Sequence, residues 1–376
     1  MAWHKHLNPL LHPVHHWHLL HDHVETTRAI NRTSRSEALC YFLGEKKAHA
    51  LLDSPVGDLL LRINEVPFLF EPNRYFTGGE TGPDLQSPAI YKMPQFEEIM
   101  LNGPHHVHKG HDGKEQYRAW YTPAKPDFPT IAYCHGNSGT LDVRKTVLNE
   151  MTRRGFGVMI VSYPGFKGSK EDSFGKRQHP SMQGCHHAAE AMFESLQQDY
   201  GLPVDRIIPF GESMGGAVAL HLMHEQEKKG VKLPAVVTLN TFFSIPEWIR
   251  EHFPHMHPHV KNDFNSAKII GDIRADILLL HGTDDAITSY TQSERLKAAG
   301  GENITLLPLK NASHRLSFPP EAFPGPLRSE EIVDPFQVSD AIKKVQLYLS
   351  ERHLCPPPEA AKYWENGIKN DSHYSR

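Results

Sequence analysis

The sequence predicts an α/β domain: a mainly parallel sheet with helices on both faces, preceded by an N-terminal accessory segment. Three observations predict it. From about residue 97, short apolar runs alternate with amphipathic runs of helical length. The apolar runs are continuous, as expected of strands buried on both faces. Several amphipathic runs end at a glycine, the usual helix stop.

Taken in order, "IAYCHGN" (131–137) reads as a buried strand entering a turn, and "LDVRKTVLNEMTRRG" (141–155) as a helix stopped by Gly155. "FGVMIVSYPG" (156–165) is the next strand, and "SMQGCHHAAEAMFESLQQDYG" (181–201) a long helix ending at Gly201. "RIIPFG" leads into "ESMGG", and "GAVALHLMHEQEKKG" continues as a helix. "AVVTLNTF" (235–242), "DILLLHG" (276–282) and "NITLLPL" (303–309) are three further strands. Helical "SYTQSERLKAAGG" separates the last two, and "QVSDAIKKVQLYLSERH" closes the unit. Sites on such sheets lie at the carboxyl ends of strands. The turns that matter therefore follow Tyr133, Ser162, Phe210, Leu239, Leu280 and Leu309.

Residues 1–93 differ in character. They combine a His-rich start, helix-like "RSEALCYFLGEKKAHALLD" and a Pro/Gly-rich linker near 76–93. The expected organisation is an accessory segment over 1–93, a main domain over 94–355 and a C-terminal extension over 356–376. A net charge of −4 gives no broad attraction to nucleic acid. No apolar stretch approaches membrane-spanning length. The N-terminus lacks the apolar core and cleavage site of a secretory signal. Cys40, Cys134, Cys185 and Cys355 lie far apart, without a metal-type or disulfide pattern. The expectation is a cytoplasmic protein with reduced thiols, no transmembrane segment, and room for peripheral membrane contact.

The chemistry centres on "PFGESMGG" (209–216), where Ser213 sits between Gly211 and Gly215 at a strand-to-helix junction. A turn alone would use Gly and Ser this way. A strand before and a helix after instead read as an elbow that projects the hydroxyl above the sheet. A serine hydroxyl is a weak nucleophile and needs a base. "TDDAIT" follows the strand 276–282 and offers Asp284 and Asp285; "KNASH" follows the strand 303–309 and ends at His314. Ser213, Asp285 and His314 run in the chain order of this arrangement, with His314 as base and a carboxylate fixing its tautomer. Asp284 is the alternative acid, or a turn cap; the spacing from His281-Gly282 favours Asp285. An oxyanion hole would use the N–H of Met214 and a second from "HGNSG", either Asn137 or Ser138. His135 in that turn reads as a hydrogen-bonder that steadies it.

Together "HGNSGT", "SYPGFKGS", "GESMGG", "NTFFSIP", "HGTDDAIT" and "NASH" resemble the α/β-hydrolase superfamily, and most of all its small-lidded abhydrolase-domain-containing serine hydrolases. The resemblance covers about residues 97–350. It implies hydrolysis of carboxylic esters, lipid esters or thioesters through an acyl-enzyme, with no cofactor and with Asp285 as the acid. Three segments depart from the pattern: residues 1–93, the proline-rich stretch after His314, and a short 243–274 connection carrying "EHFPHMHPHV". Phe242, Phe243, Trp248 and Phe318 are the expected aromatic pocket residues, with Phe253 and Phe323 adding to the rim.

The competing readings are a serine peptidase on the same fold, a non-catalytic binding protein, and a metal-binding protein using the His-rich arm. The chain holds 27 histidines, and His12, His15, His16, His18 and His21 fall at helix-neighbour spacings. They lack the mixed Cys or carboxylate ligands of a purposeful site, and no functional metal is expected.

Overall fold

The computed structural model describes residues 87–103, 116–137, 141–166, 180–254, 260–316 and 333–358. Eight strands form one sheet: β1 (Glu97–Asn102), β2 (Gln116–Thr122), β3 (Thr130–Cys134), β4 (Gly157–Val161), β5 (Ile207–Glu212), β6 (Ala235–Leu239), β7 (Asp276–Gly282) and β8 (Ile304–Leu309). Their spatial order is β1-β2-β4-β3-β5-β6-β7-β8. β1 and β2 pair antiparallel, β2 meets β4 antiparallel, and the rest are parallel. The two antiparallel strands precede "IAYCHGN", the first strand named from the sequence. β1 lies at the edge with mostly exposed side chains, so it carries polar residues where a central strand would not.

Strand side chains alternate between two cores. Ile131, Tyr133, Val158, Ile160, Ile208, Phe210, Leu278 and Leu280 face one core; Ala132, Cys134, Met159, Val161, Ile277 and Leu279 face the other. Helices cover both faces, as expected of a sheet with a buried parallel centre. On the first face lie α1 (Lys145–Arg154) and α6 (Pro335–Ser350). On the second lie α2 (Met182–Gln198), α3 (Met214–Lys228), α4 (Ile245–His252) and α5 (Tyr290–Ala299). α1 begins at Lys145, not Leu141, because 141–144 wind as a tighter 3₁₀ turn. Gly155 ends α1 with φ of 110°. Ser181 and Ser244 cap α2 and α4 by accepting backbone N–H bonds, and Asp334 does the same for α6.

Arg154 joins α1 to α6. It donates to Glu150 at 2.8 Å within its own helix, and to Gln346 and Ser339 across the interface. Met93 is fully buried in the same core and Tyr91 packs against it, so the described end of the 1–93 segment lies on this domain. The His-rich start, and every histidine quoted from it, lies outside the described residues. Cys134, Cys185 and Cys355 are buried and free.

The order of connections reverses beside β3: the chain steps from β3 to β4 on one side, then to β5 on the other. Ligands on such sheets bind at this reversal, outside the carboxyl ends of the strands. The ends of β3 and β5 lie there, and they carry Asn137 and Ser213.

On the second face, His186 of α2 stacks on His221 of α3 with ring centroids 3.6 Å apart and planes 10° from parallel. Phe264 meets His186 edge-on. Burial and the neighbouring imidazole of His221, then that of His187, push His186 well below the usual histidine range. Burial, His224 and Lys228 also lower His221, against Glu225 and Glu190, which raise it. Folded-state values that are depressed keep the rings neutral while the unfolded chain protonates near pH 6.5. Stability is therefore full above that pH and falls as pH drops below it. Between pH 7.5 and 5.5, a histidine that stays neutral costs at most about 1.4 kcal/mol. His186→Leu should shallow this loss. Urea midpoints at the two pH values check it, and equal slopes in variant and parent would contradict it.

Candidate active site

Ser213 joins β5 directly to α3, with φ of 51° and ψ of −121°. An L-residue rarely adopts this geometry, and a tertiary framework must hold it. Two glycines make the framework possible. A Cβ at Gly211 would lie 2.0 Å from the Gly215 carbonyl oxygen, and one at Gly215 would lie 2.0 Å from the carbonyl oxygen of Cys134. Strand and helix thus meet backbone to backbone. The Ser213 N–H donates to Leu239 O at 2.8 Å, and the Thr241 hydroxyl donates to Ser213 O at 2.9 Å.

Of the residues that the sequence singles out, Ser213, His314 and Asp285 come together. His314 Nε2 lies 3.0 Å from Ser213 Oγ, and His314 Nδ1 lies 2.7 Å from Asp285 Oδ2. The carboxylate only accepts, so Nδ1 carries the proton and Nε2 offers its lone pair to the serine hydroxyl. Asp285 is enclosed, its side chain 0% exposed against 12% for His314. Burial pushes its carboxyl upward, but bonds from His281 and His314, the His314 charge and the Thr288 N–H bring it down to about 2. Its Oδ1 accepts the N–H groups of Ile287 and Thr288 at 2.9 and 2.8 Å. Asp284 is exposed and takes a hydroxyl bond from Thr283 at 2.9 Å. The geometry thus couples His314 to Asp285.

His281 lies under the acid. It is fully buried, with Nδ1 on Ser293 Oγ at 2.7 Å and Nε2 on Thr288 O at 2.8 Å. The sequence reading used it only as a spacing mark.

Glu212 was also missed, although it stands inside the elbow motif. Its Oε1 accepts from Arg144 Nε at 2.7 Å and from the Gly136 N–H at 3.0 Å; its Oε2 accepts from the Tyr133 hydroxyl at 2.7 Å. Burial raises its carboxyl, yet the Arg144 charge, then the Tyr133 and Gly136 bonds, hold it at about 2. Glu212 thereby ties the turn after β3 to the elbow. Within that turn, His135 is fully buried and stacked on Tyr163 at 4.0 Å, with Nδ1 bonded to Gly136 O at 2.7 Å. Burial, helped by Arg144, lowers it to about 3, so it stays neutral.

Met214 is the first residue of α3, so its N–H has no acceptor within the helix ladder. Asn137 follows Gly136 in the turn at the end of β3. Ser138 lies outside the described residues. Among the aromatic candidates, Phe242 is buried in the core with Met214 and Ile245. Phe243 carries the Arg295 guanidinium over its ring at 4.2 Å. Trp248 donates to Ile287 O at 2.6 Å, two residues beyond Asp285, and so links α4 to the acid turn. Phe318 and Phe323 lie outside the described residues. Among the described residues, no group of three or more His, Cys, Asp or Glu is placed to hold a metal.

The sheet order, the helices on both faces and the serine elbow at the end of β5 are those of the α/β-hydrolase superfamily, and the chain has that fold. A family model described as serine aminopeptidase, S33, matches residues 127–269, a span that holds the elbow and stops before Asp285 and His314. Among curated proteins, the chain is similar to the uncharacterized protein Rv2307c of Mycobacterium tuberculosis, 28% identical over 57% of this chain and 73% of that protein. It is also similar to the alpha/beta hydrolase domain-containing protein WAV2 of Arabidopsis thaliana, 25% identical over 44% of this chain and 57% of that protein. Among solved structures, the esterase domain from a Rhodothermus marinus protein aligns with a TM-score of 0.45 and 16% identity, covering 68% of this chain and 98% of that one.

Two predictions follow from the geometry. Gly211→Ala sets a methyl group against backbone that cannot move aside, and should destabilise by more than about 3 kcal/mol; a urea midpoint equal to that of the parent would contradict the close contact. Asp285→Asn should remove the acceptor that fixes the His314 tautomer and lower turnover on the order of 10⁴-fold in folded protein. Asp284→Asn should leave most of it. Parallel kcat measurements decide, and the reverse ranking would move the acid to Asp284.

Proposed function

We propose that the protein is a serine hydrolase that cleaves a carboxylic ester or thioester through an acyl-enzyme. The observation that carries this reading is the continuous hydrogen-bonded chain from Ser213 through His314 to buried Asp285, with Ser213 held on a strained elbow. His314 Nε2 takes the hydroxyl proton as Ser213 Oγ attacks the acyl carbon. Asp285 stabilises the imidazolium that forms. The imidazolium then returns the proton to the departing alkoxide or thiolate. Water, deprotonated by the same nitrogen, releases the acid and restores the serine.

The developing oxyanion is assigned to the Met214 N–H at the start of α3 and to a second N–H from the β3 turn. The Gly136 N–H is already given to Glu212, so the second donor falls to Asn137 or Ser138. The N-terminal end of α3 adds a favourable field for negative charge. No cofactor enters this scheme.

A small apolar rim suited to a modest acyl group is proposed over the described part of 243–262; residues 317–332 of the 315–334 stretch lie outside the described residues. Trp248, beside the acid turn, and Phe243 and Phe253 are its described aromatic members. The 243–274 connection holds α4 and short 3₁₀ turns among its described residues. That leaves little room for a large lid, and interfacial activation is not expected. A peptidase is the second reading, favoured by the matching family's description as a serine aminopeptidase.

A fluorophosphonate should label Ser213, as located by mass spectrometry of the modified peptide; an adduct elsewhere on active protein would sink the assignment. Across p-nitrophenyl esters, each buried methylene should add about 0.8 kcal/mol until the pocket ends. kcat/KM should thus rise with chain length and then drop. Faster turnover of aminoacyl anilides than of any ester would favour the peptidase. Rates that jump at the micellar threshold of long-chain lipids would rule out the small rim.

A further inference from the structure

The "NT" of "NTFFSIP" is buried, polar and unused by the chemistry above. Asn240 and Thr241 immediately follow β6, and are 1% and 0% exposed. Asn240 adopts φ of 53°, a left-handed conformation that Asn tolerates better than most residues. Its backbone N–H donates to Leu280 O at 2.9 Å. Its side-chain Oδ1 accepts the Gly282 N–H at 2.8 Å, at the end of the strand that leads to Asp285. Its Nδ2 donates to His314 O at 2.7 Å and to Ser313 O at 3.3 Å. The Thr241 hydroxyl donates to Ser213 O at 2.9 Å.

From this juxtaposition we infer that Asn240 and Thr241 are positioning residues that set His314 and Ser213 in register with the acid turn. The inference rests on reading Ser213 as nucleophile and His314 as its base. The three side chains of the proposed triad come from three separate strand ends, and the Ser213 backbone is tied to the neighbouring strand at Leu239 O, whereas Asp285 and His314 lie beyond the ends of β7 and β8. His314 follows β8 by five residues, in a turn whose neighbouring carbonyl, Ala312 O, is taken by the Asp284 N–H at 3.1 Å. One dipeptide, carried by the central part of the sheet, grips the remaining limbs. The amide distinguishes donor from acceptor: Oδ1 holds the acid strand and Nδ2 holds the histidine backbone. Both amide hydrogens and one lone pair are thus spent between the two limbs. Thr241 adds the elbow. A hydroxyl-to-carbonyl bond there opposes rotation of the Ser213–Met214 peptide, and so holds the Ser213 ψ of −121°.

A purely structural role would show as lost stability with unchanged chemistry in the folded fraction. Asn240→Asp keeps the shape, the left-handed tolerance and the acceptor for Gly282, and removes the donor to His314 O. Thr241→Val keeps the volume and removes the hydroxyl; Thr241→Ser restores it. Misplacement of reacting groups by fractions of an ångström to an ångström should lower kcat roughly 10- to 100-fold, with KM little changed. Thr241→Ser should recover most of the loss.

The test combines ester kinetics, the rate of fluorophosphonate labelling at Ser213, and the low-field proton resonance of His314 Nδ1–H, assigned by its disappearance in Asp285→Asn. Asn240→Asp should shift or broaden that resonance and slow labelling; Thr241→Val should slow labelling and leave the resonance in place. Wild-type kcat, labelling and resonance in both folded variants would overturn the inference, and if Asn240→Asp does not fold, Thr241→Val against Thr241→Ser decides alone. Failure of the hydrolase reading looks different: no label on wild-type Ser213, or full turnover by Ser213→Ala, with the resonance still reporting whether Asn240 positions His314.

Discussion

The approach of α3 to the ends of β3 and β5 without intervening side chains is the constraint on which the site depends. Gly215 lies against the Cys134 carbonyl, Gly211 against Gly215, and Gly216 against Thr241, each at a distance that a Cβ would make impossible. That approach lets a strand become a helix in one residue. It forces Ser213 into a φ and ψ pair that an isolated chain would leave. It also sets the first N–H groups of α3 beside the turn that follows β3. Without the glycines, the hydroxyl, the helix terminus and the β3 turn would not share one small volume.

Buried polar groups then make that volume rigid. Asp285 is satisfied by two backbone N–H groups and by His314, with His281 3.3 Å away. Glu212 takes Arg144, Tyr133 and Gly136 together. In a poorly solvated interior, each such group is expensive to leave unpaired, so the networks hold their geometry more firmly than surface pairs do. The same economy explains the two carboxylates' low pKa values: what burial opposes, the surrounding donors and the guanidinium outweigh. Charge on Asp285 is thus available across the ordinary pH range, where it orients an imidazole.

The parallel centre of the sheet was legible because its strands are buried on both faces, which demands uninterrupted apolar runs such as those of β3 and β7. The antiparallel pair β1–β2 was not: "EEIMLN" is half polar, as an edge strand can be, and "QYRAWYT" of β2 mixes polar with apolar positions, so neither forms an uninterrupted apolar run. The 3₁₀ turn before α1 escaped because its residues suit either helix type. The elbow was visible through its glycines and its place between strand and helix. His314 and Asp285 were visible through their places just past strand ends.

What the sequence determined by itself is therefore local and periodic: the strand runs, the helix stop at Gly155, and the order of Ser213, Asp285 and His314 along the chain; the helix expected to run to Gly201 ends at Gln198. Spacing and resemblance favoured Asp285 over its neighbour, but the physical difference between the two comes from the fold. One side chain is sealed beneath the sheet end and bonded to His314, while the other is turned to solvent. Glu212, His281 and the Asn240–Thr241 step were likewise beyond the sequence. Their partners lie far away along the chain, and a side chain's hydrogen-bond partners are set by which strands become neighbours, a choice made by the packing of the whole sheet. Periodicity records which face a residue presents. Only tertiary contact records what it meets there.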